Sequence, residues 1–370
     1  MSSANPIAVP VLQVRPNMLI AYDYLHWPNG SPKRKDGKPN SENFKGKSAY
    51  SGQLTEHGRK RLQRTINLLC AIAKPKRVTA PKSGKDFTFR VNFITLTLPQ
   101  AQGEVLDSEI KKKCLDPWFK SMKRRHGLKS YVWRAERQFN GNVHFHITSD
   151  TWLPLDDIRD EWNHQLRKLD LISDFKAKHG HDRPNSTDVH AVWKINNIAG
   201  YMVKYMSKEP EEHLKEVNQK RIAKGKPIIK PENHEFRQSP GQPKWDTPIH
   251  GKVWDCSVNL KCKSKCEVEA DSELQQSCRD LIVKYNLKFV QLDRCVVVFA
   301  GQYDMEQILE GYLLQVYREY LSIVRDWIPT VSSPMMSVSE SRKPDPPPDI
   351  DSFGYGRQLT IAYSNIGRLN

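Results

Sequence analysis

Two histidines one residue apart, His144 and His146, stand in the stretch "NGNVHFHI" (140–147). Residues i and i+2 of a strand project from the same face, so the two imidazoles sit side by side if this stretch is extended. The flanks favour that reading. "YVWRAERQF" (131–139) is rich in β-branched and aromatic residues, and "NGN" is a hairpin signal. Neutral imidazole is the commonest metal ligand near neutral pH. A three-residue loop at Asn140, Gly141 and Asn142 pairs Phe139 with Val143, which sets Gln138 opposite His144 and Glu136 opposite His146. Glu136, His144 and His146 then converge on one face. A two-residue loop turns Glu136 away unless a bulge restores the register. Two imidazoles and a carboxylate, with other positions open, suit Mg²⁺ or Mn²⁺ acting on an oxygen-rich substrate. The plainer alternative makes Glu136 a solvent-facing partner of Arg134 or a lysine.

A second constellation lies in "YMVKYMSK" (201–208). On a helix, Tyr201 and Tyr205 share one face about 6 Å apart along the axis, and Lys204 and Lys208 form a neighbouring row. An amphipathic helix with its tyrosines at the core edge accounts for this pattern. The chemical alternative is nucleophilic attack by a phenol, whose pKa near 10 calls for a nearby cation or metal.

The surrounding elements read as follows. A helix over 54–73 has Thr55 as N-cap and Leu62, Ile66 and Leu69 as its apolar stripe, with Arg59, Lys60, Arg61 and Arg64 elsewhere on its surface. "FTFRVNFITLTLP" (87–99) is an alternating strand with a proline stop, and residues 107–126 are helical. The hairpin (131–148), a helix (154–172), a strand (188–195) and a helix (196–208) follow. This order predicts an α+β fold, an antiparallel sheet with flanking helices. Residues 252–261 read as a strand, 272–285 as a helix, 289–301 as one strand and 303–326 as a long helix. They make a smaller C-terminal α/β unit. The expected organisation is a basic arm and helix (1–86), a central domain (87–208), a basic linker (209–250), the C-terminal unit (251–330) and a disordered tail (331–370).

Taken together, "FITLTLP", "HFH" within "GNVHFHI", and "YMVKYMSK" resemble, in order and spacing, the three motifs of HUH endonucleases. The paired tyrosines with interleaved lysines are most similar to the two-tyrosine rolling-circle replication initiators of small circular single-stranded DNA phages and plasmids. The resemblance covers roughly residues 87–208. It implies an RRM-like antiparallel sheet and a divalent ion, Mg²⁺ or Mn²⁺, on His144 and His146, with Glu136 as third ligand and Gln138 as substitute. It further implies that Tyr201 or Tyr205 attacks single-stranded origin DNA to form a 5′-phosphotyrosine, freeing a 3′-OH for a host polymerase. The other tyrosine would cleave the regenerated origin. Lys204, and Lys208 beside it, would neutralise phosphate charge. Relaxases and single-strand transposases share this chemistry, and a non-catalytic basic single-strand binder is the rival from another class.

Composition agrees with a nucleic-acid partner. The chain of 370 residues carries a net charge of +16, with sixteen Lys/Arg against four Asp/Glu over residues 28–90. From 267 onward there are ten against fifteen. Such a concentration of positive charge is the footprint expected for a polyanion, and Arg59, Lys60 and Arg64 are candidate contacts to DNA phosphates. No G-x-x-x-x-G-K-[ST] loop is present, so duplex opening is expected to depend on supercoiling or a host helicase. Seven cysteines, an odd number and scattered, fit reduced thiols in a bacterial cytoplasm. No signal peptide or membrane helix is expected.

Other features read as structural. Cys256, Cys262 and Cys266 lack the short C-x₂-C knuckle of zinc sites. "HGHD" (179–182) reads as a solvated loop and His190 as a core or edge residue. Trp118, Trp133, Trp152 and Trp162 read mostly as core, with one of them available for stacking on a base.

Overall fold

The computed structural model describes residues 7–26, 52–79, 84–138, 140–192, 215, 218–219, 221–228, 247–262, 266–292, 295–301 and 303–327. Its strands are β1 (Ile7–Arg15), β2 (Met18–His26), β3 (Lys76–Thr79), β4 (Asp86–Phe89), β5 (Val91–Leu96), β6 (Tyr131–Arg137), β7 (Val143–Ser149), β8 (Thr187–Val192), β9 (Trp254–Cys256), β10 (Cys266–Glu269), β11 (Lys288–Leu292) and β12 (Cys295–Phe299). The helices are α1 (Glu56–Ile72), α2 (Asp107–Ile110), α3 (Asp116–His126), α4 (Leu155–Arg167), α5 (Ser173–His179), α6 (Asn259–Cys262), α7 (Ser272–Lys284), α8 (Met305–Ile308) and α9 (Gly311–Asp326). A π-helical turn, Lys111–Leu115, joins α2 to α3. The fold is α+β, with antiparallel sheets flanked by helices.

The central sheet has the order β8-β5-β7-β6-β9 and is antiparallel throughout. Its central strands β5 and β6 are buried along nearly their whole length, as strands of a sheet covered on both faces are. On one face Ile94, Leu96, Trp133, Phe145 and Ile147 pack with Trp118 and Met122 of α3 and Ile158, Trp162 and Leu166 of α4. On the other, Phe93 and Val132 join the apolar stripe of α1, Leu62, Ile66 and Leu69. Trp118 and Trp162 are wholly buried, each donating its indole N–H to a backbone carbonyl, of Ile158 and Thr97 respectively. Helix α1 begins where expected: Thr55 Oγ1 accepts from Gly58 N at 3.1 Å.

The second sheet, β10-β1-β2-β12-β11, draws on widely separated parts of the sequence. The β1–β2 hairpin lies between β10 and β12, so its strands belong with residues from 266 onward, a pairing that local patterning keeps apart. Leu12, Val14, Leu19 and Val298 of this sheet share one apolar cluster with α1, α7 and α9.

Several boundaries differ from the local patterns. The stretch 87–99 is two strands broken at Arg90. Its guanidinium turns aside to donate to the carbonyls of Cys70 and Ala73 and to pair with Asp304 at 3.1 Å. Residues 252–261 yield the short strand β9 and then helix α6, where Asn259 Nδ2 donates to Ser130 Oγ and the Val324 carbonyl. Residues 289–301 fold back as the antiparallel pair β11–β12. The expected helix at 303–326 is divided into α8 and α9. The expected helix at 196–208 and the tail at 331–370 lie outside the described residues. No helix among the described residues is long and apolar enough to cross a membrane.

Candidate metal centre

Glu136 and His144 are direct partners across the β6–β7 ladder, and Arg134 is the partner of His146. The expected register, with Glu136 opposite His146, is therefore corrected by two residues. Gln138 N donates to Asn142 O and Gly141 N to Gln138 O, so strand pairing continues to Gln138 and Asn142 and the expected loop 140–142 does not hold. Asn142 is drawn out of the turn because its side chain is committed elsewhere. Its Oδ1 accepts from Gln102 N at 2.8 Å and its Nδ2 donates to Gln100 O at 2.8 Å. Gly141 takes the left-handed conformation, φ 85°, that the tight turn requires. A shift of two preserves the face of every side chain, so the convergence survives the change of partner.

The three side chains meet at Glu136 Oε2, which lies 3.1 Å from His146 Nε2 and 3.5 Å from His144 Nε2. Glu136 is 9% exposed. Cis ligands of an octahedral ion with bonds of about 2.1 Å stand roughly 3 Å apart, so the donor set fits a small divalent cation. Among the described residues, Glu136, His144 and His146 form the His/Cys/Asp/Glu cluster able to hold one. Gln138, the expected substitute ligand, follows β6 at the turn, its backbone N–H donating to Asn142 O.

Electrostatics prepare the ligands. Burial pushes Glu136 toward protonation, but its hydrogen bonds with His144 and His146 and the charge of Arg134 outweigh this and hold the carboxyl well below its usual range. Burial, then the neighbouring His144, lowers His146 to about 4 against the opposing pull of Glu136. A carboxylate and a neutral imidazole are the forms that bind metal. Around them, Thr95 Oγ1 lies 3.3 Å from His146 Nδ1, and the Phe93 ring stacks on His146 at 5.2 Å between centroids. The His146 Nε2–H faces the Glu136 carboxylate, and a metal taking Nε2 would shift the ring proton to Nδ1, where Thr95 Oγ1 could accept it. Thr97 serves the sheet, donating to Ser186 O.

The ladder registers place one row of side chains across this face: Asp188, Thr95, His146, Arg134 and Trp254. Trp254 was not legible as a site residue, since nothing local marks a tryptophan on a three-residue edge strand. The Arg61 guanidinium of α1 lies over its ring at 5.7 Å from the centroid. Of the proposed phosphate contacts, Arg59 and Lys60 both pair with Glu56 in the first turn of α1, and Arg64 lies further along the same helix, partly buried. Tyr201, Lys204, Tyr205 and Lys208 lie outside the described residues. His179 and His181 are exposed and pack around Phe175. Cys256 is buried and forms no disulfide among the described residues.

An antiparallel sheet on a strongly basic chain thus presents a His-x-His strand beside a carboxylate, a donor set that could hold a metal ion. Residues 91–210 match a family model of replication-associated proteins, the ORF2 type. The match begins at Val91, the first residue of β5, spans the whole metal hairpin and extends past Lys208. The match covers about a third of the chain and supports a replication-associated role for that segment. No curated protein and no solved structure matches the chain.

Proposed function

We propose that this protein initiates rolling-circle replication by nicking and rejoining single-stranded origin DNA, as HUH endonucleases of the two-tyrosine type do. The observation that carries the reading is the convergence of Glu136, His144 and His146 inside the segment that matches the replication-associated family. A Mg²⁺ or Mn²⁺ ion held there would polarise a phosphodiester and draw off its charge. Tyr201 or Tyr205 attacks the phosphorus in line, the bond to the 3′-oxygen breaks, and the phosphate remains on the phenol as a 5′-phosphotyrosine. The released 3′-hydroxyl primes a host polymerase. The second tyrosine repeats the attack on the regenerated origin, and the free 3′-hydroxyl returns to the first phosphotyrosine to close the circle. Lys204 neutralises phosphate charge, with Lys208 beside it. Arg59, Lys60 and Arg64 on α1 hold DNA backbone, and their side chains exchange Glu56 or neighbouring partners for phosphate.

The test is a denaturing gel for a covalent protein–DNA adduct on single-stranded fragments of the parent replicon, with Mn²⁺ or Mg²⁺. An adduct is expected that needs metal, persists in one of Tyr201→Phe and Tyr205→Phe, and vanishes in the double variant. Intact DNA binding with no adduct under any metal would replace this reading with that of a non-catalytic single-strand binder.

A further inference from the structure

The candidate metal ligands sit close to the turn end of their hairpin. Arg137↔Val143 is the last rung of the β6–β7 ladder, and Glu136↔His144 is the one before it. Ligand geometry at a metal site is held by the contacts behind the ligands, and a brace on both strands beside the turn would supply them. Asp107, the first residue of α2, occupies the position of that brace.

Its carboxylate is 1% exposed and divides its two oxygens between the two strands. Oδ2 accepts from Arg137 Nη2, and Oδ1 accepts from Gln102 Nε2 at 2.7 Å. Gln102 in turn accepts, through its Oε1, the Val143 N–H at 2.9 Å. One carboxylate thus grips β6 through Arg137 and β7 through Gln102, at the rung next to Glu136 and His144. Arg137 projects from the face opposite Glu136 and ties down two further pieces of chain. Its Nε donates to Thr247 O at 3.0 Å and its Nη1 to Gly141 O at 2.7 Å. Asp107 Oδ2 also accepts the His250 N–H at 3.0 Å, and Lys111, one helical turn on, donates to the carbonyls of His250 and Lys252. A buried ion pair of this kind adds little net stability compared with apolar packing, so its cost is better explained by the geometry it fixes.

We infer that Asp107 is a positioning residue of the metal centre: through Arg137 and Gln102 it holds both strands of the hairpin in the register that brings Glu136 to the two histidines. The inference rests on the metal reading above.

Mn²⁺ binding, followed by isothermal titration and by the electron paramagnetic resonance spectrum of the bound ion, tests it on the full chain. The variants are Asp107→Asn, which keeps the shape and removes the charge, and Gln102→Leu, which cuts only the arm to β7. Leu313→Ala, a core truncation in α9 remote from the hairpin, controls for loss of stability. Weakening of about tenfold or more in both clasp variants, a range typical for residues that orient metal ligands, together with a changed spectrum and unchanged affinity in Leu313→Ala, is the expected result. Wild-type binding with equal affinity and spectrum in both clasp variants would overturn the inference alone, and so would equal weakening in Leu313→Ala. A wild-type chain that binds no Mn²⁺ overturns the metal reading and the inference with it.

Discussion

Thr95 and His146 face one another across the β5–β7 ladder, with Thr95 Oγ1 3.3 Å from His146 Nδ1. This contact offers Nδ1 a partner, leaving Nε2, the nitrogen that faces Glu136, as the one a metal would take. Replacing Thr95 by Val keeps the β-branched shape and removes the partner. Mn²⁺ affinity is expected to fall by about 10- to 100-fold, as for other partners of metal-bound histidines, with the far-ultraviolet circular dichroism unchanged. Titration calorimetry on the two proteins measures it, and equal affinities would remove Thr95 from the site.

Metal binding should also be visible as stability. A ligand that binds only the folded state at about 100 times its Kd contributes roughly 2.7 kcal/mol, which is several degrees in Tm for a domain of this size. Saturating Mn²⁺ is expected to raise the Tm of the wild type and to leave His144→Ala, His146→Ala and Glu136→Gln where they were. A chelator should reverse the rise. A triple variant that still responds to Mn²⁺ would place the binding elsewhere.

Lys111 gives a pH dependence of known sign. Burial is the main cause that lowers it to about 8, and Arg137 adds to this while Asp107 opposes it. The folded state therefore loses this proton near pH 8, whereas the unfolded chain keeps it to about 10.5. Between those values the unfolded state binds more protons, so stability from this group rises with pH. Across pH 7.5–10.5 the wild type should gain on the order of 2–3 kcal/mol relative to Lys111→Met. Urea midpoints at matched pH test it, and parallel curves for the two proteins would contradict it.

Arg90 links three parts of the chain, the end of α1, the start of β5 and Asp304 before α8. Arg90→Ala leaves the carbonyls of Cys70 and Ala73 buried without that donor. A loss of about 2–4 kcal/mol is expected from such uncapped groups and the broken ion pair. Chemical denaturation would show it as a lower midpoint. A loss below the cost of an ordinary surface substitution would mean that water replaces the guanidinium.

The face that gathers Glu136, His144 and His146 was legible because its signals are local. His144 and His146 are two residues apart on a strand, and Glu136 lies within one hairpin of them, so face parity alone brings the three together. The register was not legible, because the choice of loop residues is made by Asn142 bonding to residues 100–102, some forty positions upstream in sequence. The same holds for Arg90, which resembles an ordinary polar position in an alternating strand until the end of α1 is placed beside it. Trp254 escaped notice because its proximity to Arg134 and Arg61 is purely tertiary. The second sheet was the least legible part. Its strands are ordinary apolar runs, and nothing in β1 or β2 announces that their neighbours are β10 and β12.

That sheet has a consequence for how the chain is made. The hairpin β1–β2 leaves the ribosome long before the strands that flank it, both of which follow residue 265. At roughly 5–20 residues per second, the nascent hairpin waits on the order of ten to fifty seconds with two open edges. An interrupted translation product that stops short of β10 would carry the metal hairpin yet leave β1 and β2 unclosed, and would be a ready target for chaperones and proteases. Both edges of the hairpin are therefore closed only in a chain translated past β12.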